Sequence, residues 1–255
     1  MRNTQDQIIS RRKFIKGGAC ALAGGIVLSG TVFPSGATAA VPEIGAWPYA
    51  SLDPIAIGQS AWEPPGCQGC GGKSMGAIIY GLRAALGKDS PWEQLPVNIG
   101  SFGNGGGPLS QTCGALIGPY LLMNLVGAGR ALGKQFYEWY SGFAFPSAEW
   151  DNYMPRSGPA PSKNLVKTIA NSTLCSVSRG TWQKEYNRLY GEGAKEPRND
   201  RCDKLICDCT RKAVELLNDW KAGKMPADAG GGPPGTRYRS RVPKRCMARP
   251  THAAT

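Results

Sequence analysis

Two cysteines separated by two residues, in the stretch CQGCGG, are the first side chains of this sequence with a recognisable chemistry. Cys67 and Cys70 could ligate a metal, form a disulfide or attach a haem. Covalent haem attachment needs a histidine directly after the second cysteine, and that position is Gly71. The one histidine of the chain, His252, lies near its C-terminal end. We therefore expect no haem c, and metal ligation and disulfide chemistry both stay open.

The first forty residues have the features of an export signal. The stretch SRRKFIK precedes an apolar, glycine-rich run over 17–33 and the small residues ATA at 37–39. A charged start, a short apolar segment and small residues at a cleavage site are typical of such signals. The adjacent Arg11 and Arg12 indicate the twin-arginine route, with the twin-arginine translocase as a partner and cleavage after Ala39.

This route predicts a periplasmic or other extracytoplasmic protein that folds, often with its cofactor, before export. The predicted organisation is a signal peptide over 1–39, one helical cysteine-rich domain over 40–225 and a tail rich in glycine, proline and arginine over 226–255. A chain of this length can bury one substantial core, and nothing in it requires a second domain.

The basic character of the chain is concentrated in its tail. The whole sequence has a formal net charge of +12, and residues 229–255 carry six basic residues and no acidic one. The tail has little apolar surface to bury, so we expect it to be disordered, either as a solvated extension or as a docking arm for an acidic partner. The body between signal and tail is nearly neutral, which argues against nucleic acid as a partner.

Eight of the nine cysteines follow the signal, which contains Cys20. They are Cys67, Cys70, Cys113, Cys175, Cys202, Cys207, Cys209 and Cys246. An even number of cysteines in an exported protein is ordinarily explained by disulfides, so a disulfide-stabilised interaction module is one alternative.

The hydrophobic pattern predicts an all-α fold. Apolar residues recur at helical spacing, and no stretch shows sustained two-residue alternation. The predicted helices are Lys73–Leu86, ending at Gly87; Thr112–Gly129, an apolar core helix too short and interrupted to span a bilayer; Arg130–Tyr140; Ser162–Ala170; Thr181–Tyr190; and the amphipathic Asp200–Trp220. Long glycine-rich loops connect them.

Two cysteines are predicted at or just before helix N-termini, where backbone N–H groups favour a thiolate. Cys70 lies among glycines, and Cys113 follows the loop GSFGNGGGPLSQ. On the last helix, Cys202 and Cys209 are seven residues apart on one face that points into the core, and Cys207 lies off that face. The GNGGG loop lacks the lysine and hydroxyl register of a phosphate-binding loop, so we expect its N–H groups to face thiolates or cluster sulfurs.

Taken together, these motifs resemble a known exported redox family. The motifs that carry the resemblance are GC at 69–70 before AII, a glycine-rich loop before CGALIG, STLCSVS, and RCDKLICDCTRKAVELLN. The pattern is similar to that of the family named C_GCAxxG_C_C, which includes the split-Soret cytochromes, and it runs from about Leu52 to Trp220. The resemblance implies redox activity through four recurrent cysteines, which fall on Cys70, Cys113, Cys175 and Cys202. Split-Soret members are homodimers with haem c and a further iron–sulfur-type centre, so the resemblance also implies a homodimer.

The chain departs from that family pattern at several positions. It has no Cys-x-x-Cys-His, so haem binding is not carried over, and it has Ser176 where relatives often have histidine. The Ala-x-x-Gly stretch after Cys70 is replaced by GGKS. Cys67, Cys207 and Cys209 are additional thiols next to family positions, which could ligate the centre or act as resolving thiols.

The leading hypothesis is an exported electron-transfer protein whose four cysteines, Cys70, Cys113, Cys175 and Cys202, bind an iron–sulfur cluster. One alternative is thiol–disulfide chemistry by Cys67 and Cys70, although no βαβ pattern surrounds them. A module held by disulfides or by a four-cysteine zinc site is another. We expect an electron carrier with an unidentified redox partner protein rather than a hydrolase or transferase, because no histidine lies in the core.

Overall fold

The structure, a computed structural model, describes residues 41–194 and 200–224. The chain divides into the units Met1–Thr38 and Ala39–Thr255, and every described residue belongs to the second. The predicted signal with Arg11 and Arg12, the cleavage site at Ala39, and the basic tail with Cys246 lie outside the described residues.

Within the described ranges the protein is helical, which confirms the predicted all-α class. The elements are α1 (Pro54–Ser60), α2 (Gly69–Leu86), a 3-10 helix at Pro91–Gln94, a second 3-10 helix at Ile99–Gly106, α3 (Gly114–Leu125), α4 (Gly129–Gly142), β1 (Ala144–Phe145), β2 (Thr168–Ile169), α5 (Cys175–Tyr190) and α6 (Asp200–Lys221). The two short strands pair antiparallel. None of the helices so described combines the length and apolar character that crossing a membrane would require.

The core forms around α6, which packs against α1, α2, α3 and α4. Its predicted apolar stripe is buried as expected, with Leu205, Ile206 and Leu217 at most 2% exposed. Burying a side chain of this size contributes roughly 1.5–3 kcal/mol, so the amphipathic pattern of this helix accounts for much of the core. Helix α5 packs instead on β2, and its Trp182 and Tyr186 form a small separate cluster with Leu165.

Glycines allow α2, α3 and the second 3-10 helix to approach each other backbone to backbone. A Cβ atom at Gly118 of α3 would lie 2.9 Å from Ser74 Oγ and 3.1 Å from Met75 Cβ of α2. Gly71 and Gly100 face one another in the same way, since a Cβ on either would collide with the other's carbonyl oxygen. The N-terminal ends of α2 and α3 therefore lie side by side.

Two buried polar side chains of α6 hold the irregular segment between the strands. Asp208 accepts hydrogen bonds from Ser147 N at 3.0 Å and from Trp150 Nε1 at 2.8 Å. Lys204, which is fully buried, pairs with Asp151 and donates to the Ser162 carbonyl oxygen at 2.5 Å. Since each charge has partners, their burial does not leave an uncompensated ion.

The structure corrects two local predictions and adds one helix. The segment Ser162–Ala170 is not a helix: its backbone groups bond to other elements, with Ser162 N donating to Asp200 at 2.7 Å and the Val166 carbonyl accepting from Trp182 Nε1 at 2.8 Å. Helix α5 begins at Cys175, six residues before the predicted start at Thr181. Helix α1 was not predicted from the sequence. The Asp53 side chain caps its start by accepting hydrogen bonds from Ile55 N and Ala56 N.

A candidate metal centre formed by four cysteines

The first of the four cysteines lies in the opening turn of α2. Cys70 is the second residue of this helix, whose N-cap residue Gln68 makes no side-chain cap. Asn104, from the glycine-rich loop, replaces that cap: its Oδ1 accepts from Gly71 N at 3.1 Å, and its Nδ2 donates to the Gln68 carbonyl oxygen at 3.1 Å. The glycine-rich loop is thereby fixed against the start of α2.

The second and third cysteines are brought together by an antiparallel bridge between Thr112 and Leu174. Cys113 N donates to the Thr173 carbonyl oxygen at 2.9 Å, and Cys175 N donates to the Gln111 carbonyl oxygen at 2.6 Å. Cys113 is the N-cap residue of α3, and Cys175 is the first residue of α5. The bridge thus places the starts of two helices, each with a cysteine, next to one another.

The fourth cysteine, Cys202, lies in the first turn of α6 as the structure describes that helix. The preceding residue, Arg201, is only 3% exposed. Its Nη1 donates to Cys202 Sγ at 3.7 Å, and its Nη2 donates to Ser178 Oγ of α5 at 2.6 Å. Arg201 therefore joins α5 and α6 beside the fourth thiol.

Cys70, Cys113, Cys175 and Cys202 all line one cavity of about 320 Å³. Each belongs to the N-terminal end of a different helix, so four helix starts meet at this cavity. Helix N-termini carry a partial positive charge and unpaired N–H donors, which stabilise anions. The cavity opens to the surface beside Gly69 and Gly105, both of which are exposed.

Hydrogen bonds between neighbouring thiols at the cavity shift their pKa values. A hydrogen bond to Cys113, together with burial, raises the pKa of Cys70 above its ordinary range. A hydrogen bond to Cys175 raises the pKa of Cys113 to about 11, and the same bond lowers the pKa of Cys175. Of these three thiols, Cys175 is therefore the one whose ionisation is favoured, and ligation of the others would release their protons.

Cationic side chains surround the same cavity. Lys73, Arg179 and Arg201 line it, and the one carboxylate among its lining residues, Asp203, is paired with Lys73 at 2.7 Å. Burial alone would lower the pKa of Arg201, but the neighbouring Cys202 raises it, so the guanidinium stays charged. The site is therefore suited to a group that carries net negative charge.

A tyrosine completes the wall. Tyr140 of α4 lines the cavity, has a fully buried side chain, and lies near Cys113 and Ser178. Its hydroxyl has no hydrogen-bond partner of normal geometry among the described residues. No sequence signal indicates this role, since Tyr140 ends an aromatic run, FYEWY, that is typical of core packing.

The other described cysteines lie outside the cavity wall. Cys67 is buried on another side of α2, where its Sγ donates to the Val97 carbonyl oxygen at 3.6 Å and packs against Gly76. Cys207 and Cys209 are fully buried in the core, and burial raises the pKa of both. The expectation that Cys207 lies off the buried face is wrong, because α1 covers that side of α6.

All seven cysteines in the described ranges are free thiols. The same ranges contain no three Cys, His, Asp or Glu side chains close enough together to hold a single metal ion. The four cavity cysteines instead line one shared space of about 320 Å³. This arrangement can accommodate a group of several atoms that the cysteines bind at its periphery.

The chain also matches a known protein family. The family model described as "Putative redox-active protein (C_GCAxxG_C_C)" matches residues 74–216. The matched segment contains Cys113, Cys175 and Cys202, and Cys70 lies four residues before it.

Two comparisons lead to a relative from Desulfovibrio desulfuricans. The curated split-Soret cytochrome c of strain ATCC 27774 is 26% identical over 227 residues, covering 82% of this chain and 78% of the relative. A solved structure of the split-Soret cytochrome c from ATCC 27774, described as having a novel iron centre, is similar with a TM-score of 0.53 at 23% identity. That similarity covers 69% of this chain and 72% of the solved chain, and it establishes a shared fold.

Proposed function

Because this chain belongs to the C_GCAxxG_C_C family of redox proteins, we propose that it is an exported electron-transfer protein that binds an iron–sulfur cluster through Cys70, Cys113, Cys175 and Cys202. The observation that carries the proposal is the convergence of these four thiols on one cavity. Four cysteine thiolates are the usual ligand set of [2Fe–2S] and [4Fe–4S] clusters.

The residues present fit such a group in size and in charge. A cavity of about 320 Å³ has room for several atoms between the thiols. Glycines keep this space open: a Cβ atom at Gly114 would lie 2.5 Å from Cys70 Sγ, and one at Gly106 would lie 2.9 Å from Cys175 Cβ. Four thiolates around iron and sulfide carry net negative charge, which the helix N-termini, Lys73, Arg179 and Arg201 would offset.

When bound, such a group supplies reversible one-electron transfer; the surrounding residues determine how electrons reach it. Cys113 and Cys175 are 5% and 7% exposed, whereas Cys70 and Cys202 are half-buried. Gly69, Gly105 and Arg179 are exposed at the mouth of the cavity. We infer that a redox partner protein exchanges electrons at this opening, since the other sides are covered by helices.

The relatives support iron rather than another metal. The solved split-Soret cytochrome c is described as having an iron centre, and its fold is shared over most of this chain. Zinc bound to the same cysteines is the alternative, although no three of the described Cys, His, Asp or Glu side chains lie close enough to hold one ion, and metal analysis separates the two. Thiol–disulfide exchange by Cys67 and Cys70 is less well supported, because Cys67 lies outside the cavity with its Sγ on the Val97 carbonyl oxygen. We propose no haem c, because the chain has no Cys-x-x-Cys-His.

A serine scan tests the assignment. Cys70→Ser, Cys113→Ser, Cys175→Ser and Cys202→Ser should each lose most of the bound iron and acid-labile sulfide after anaerobic purification. Cys67→Ser is the matched control, because it changes a buried thiol close to Cys70 that does not line the cavity. If the control loses as much iron as the four variants, or the four variants retain it, the assignment is wrong.

Export by the twin-arginine translocase to the periplasm or another extracytoplasmic compartment is the second part of the proposal. It is supported by Arg11 and Arg12 before the apolar run and by the small residues before Ala40. Changing both arginines to lysine should leave uncleaved protein in the cytoplasm, whereas changing Lys16 to arginine should not. Export that persists in the double-lysine variant would contradict this route.

A further inference from the structure

The hydroxyl of Tyr140 is a buried polar group whose hydrogen bonding the described residues do not satisfy. Its side chain is fully buried, and its hydroxyl oxygen has no hydrogen bond of normal geometry among the described residues. Leaving a buried hydroxyl unpaired is costly, so buried hydroxyl groups normally have a hydrogen-bond partner. Tyr140 lines the four-cysteine cavity, where that partner would be found.

The position of the ring is fixed by its surroundings. Tyr140 lies near the end of α4, and its ring packs against Phe145 with centroids 4.9 Å apart. Cys113 and Ser178 are polar side chains that act on the hydroxyl, and the Ser178 hydroxyl already accepts a hydrogen bond from Arg201 at 2.6 Å. The phenol is thus held with its one polar atom directed at the cavity wall beside Cys113.

We propose that the Tyr140 hydroxyl donates a hydrogen bond to a sulfur of the group bound in the cavity, either Cys113 Sγ or a sulfide, and so raises its reduction potential. This inference rests on the proposed function. Tyr140 is then a positioning and tuning residue, and not a ligand.

The direction follows from charge. Reduction adds a negative charge to the centre, and a hydrogen bond to sulfur stabilises the more negative state more strongly. Removing the donor should therefore lower the midpoint potential. Tyr140→Phe removes one oxygen atom and keeps the ring, so the aromatic contact with Phe145 is retained.

The control variant is Tyr137→Phe. Tyr137 lies one turn earlier on α4, is half-buried, and does not line the cavity. Both variants and the parent protein would be purified anaerobically, analysed for iron and sulfide, and titrated for the midpoint potential. Thermal unfolding of each protein without metal would be measured in parallel.

We expect Tyr140→Phe to bind iron like the parent and to have a lower midpoint potential, and Tyr137→Phe to have the parent's potential. Without metal, Tyr140→Phe should be at least as stable as the parent, because an unpaired buried hydroxyl is removed. An unchanged potential with iron bound, or a loss of stability in the metal-free variant, would overturn the role of Tyr140. A parent protein that binds no iron would instead overturn the proposed function and this inference with it.

Discussion

The backbone N–H of Gly105 donates a hydrogen bond of 3.3 Å to Sγ of Cys70. The donor belongs to the loop GNGGG, and the acceptor belongs to the CxxC motif more than thirty residues earlier. Gly105 has a positive φ of 65°, a conformation that glycine adopts without strain and that turns this N–H toward the sulfur. The two glycine-rich stretches of the sequence thus act as one unit, which holds a thiol at a helix N-terminus.

Asn104→Ala should weaken the hold of the loop on α2. The variant loses the side-chain bonds to Gly71 N and to the Gln68 carbonyl oxygen, which should cost about 1 kcal/mol of unfolding free energy, as for other helix caps. It should also shift the absorption spectrum and potential of the centre, because Gly105 follows Asn104 directly. Asp53→Ala removes a comparable cap from α1, away from the cavity, and should lower stability without a spectral change. Identical spectra in the two variants would contradict this role.

Gly114→Ala should disturb the centre by steric overlap. The added Cβ would lie 2.5 Å from Cys70 Sγ and would also collide with the Gly103 carbonyl oxygen. Overpacking of this kind costs roughly 1–3 kcal/mol and should displace the Cys70 thiol. We expect reduced iron content and a lower unfolding temperature.

The matched control for Gly114→Ala is Gly180→Ala in α5. Nothing lies within 4 Å of a Cβ at that position, so helix propensity should make the control more stable by up to about 1 kcal/mol. Full iron loading in Gly114→Ala would show that the close approach at this position has no importance for the site.

The buried pair of Lys204 and Asp151 should make stability depend on pH in the acid range. Burial opposes ionisation of Asp151, but hydrogen bonds from Lys204 and from Asn164 N outweigh it and lower the pKa of this carboxyl below 3.8. A lowered pKa means that the stabilisation is complete above the unfolded pKa and is lost as the pH falls through the lower, folded value.

Asp151→Asn is the variant that measures this effect. At neutral pH it leaves the ammonium of Lys204 without its counter-ion and should cost roughly 3–5 kcal/mol. Denaturant unfolding from pH 7 down to below pH 3.8 should show the gap between parent and variant closing only at the acid end. A gap that is constant with pH would mean that the charge of Asp151 contributes nothing.

Removal of the bound group should loosen the cavity more than the rest of the core. Without it, the space of about 320 Å³ that the four thiols line together with Lys73, Arg179 and Arg201 is left unfilled. A ligand that binds only the folded state stabilises it, so chelation should lower the unfolding temperature. Hydrogen exchange should rise around Gly103–Gly107 and little in the middle of α6; equal exchange in both regions would contradict a local effect.

Parts of this site could be predicted from residue types alone. Cys70 and Cys113 were expected at helix N-termini because glycine-rich stretches precede apolar helical periodicity, and both are found there. The grouping of all four cysteines came from the resemblance to the family, since spacing along the chain does not show which segments meet. The bridge between Thr112 and Leu174, which joins two of them, is a long-range contact without a local signal.

Other parts depended on tertiary contacts that overrule local preference. Ser162–Ala170 has helical spacing, yet Asp200, Trp182 and Lys204 bond to its backbone and hold it in an irregular form. Arg201 and Tyr140 were not singled out, because a basic residue beside a cysteine and a tyrosine in an aromatic run usually indicate a solvated charge and core packing. Only their burial beside the cavity identifies their roles.

The central claim is that four cysteines at four helix N-termini bind an iron–sulfur cluster. The measurement that tests it most directly is the iron, acid-labile sulfide and zinc content of the anaerobically purified protein, taken with its visible spectrum before and after reduction. The account predicts iron and sulfide in near-stoichiometric amounts and an absorption band that bleaches on reduction. Colourless protein that contains zinc, or no metal and few titratable thiols until it is reduced, would contradict it.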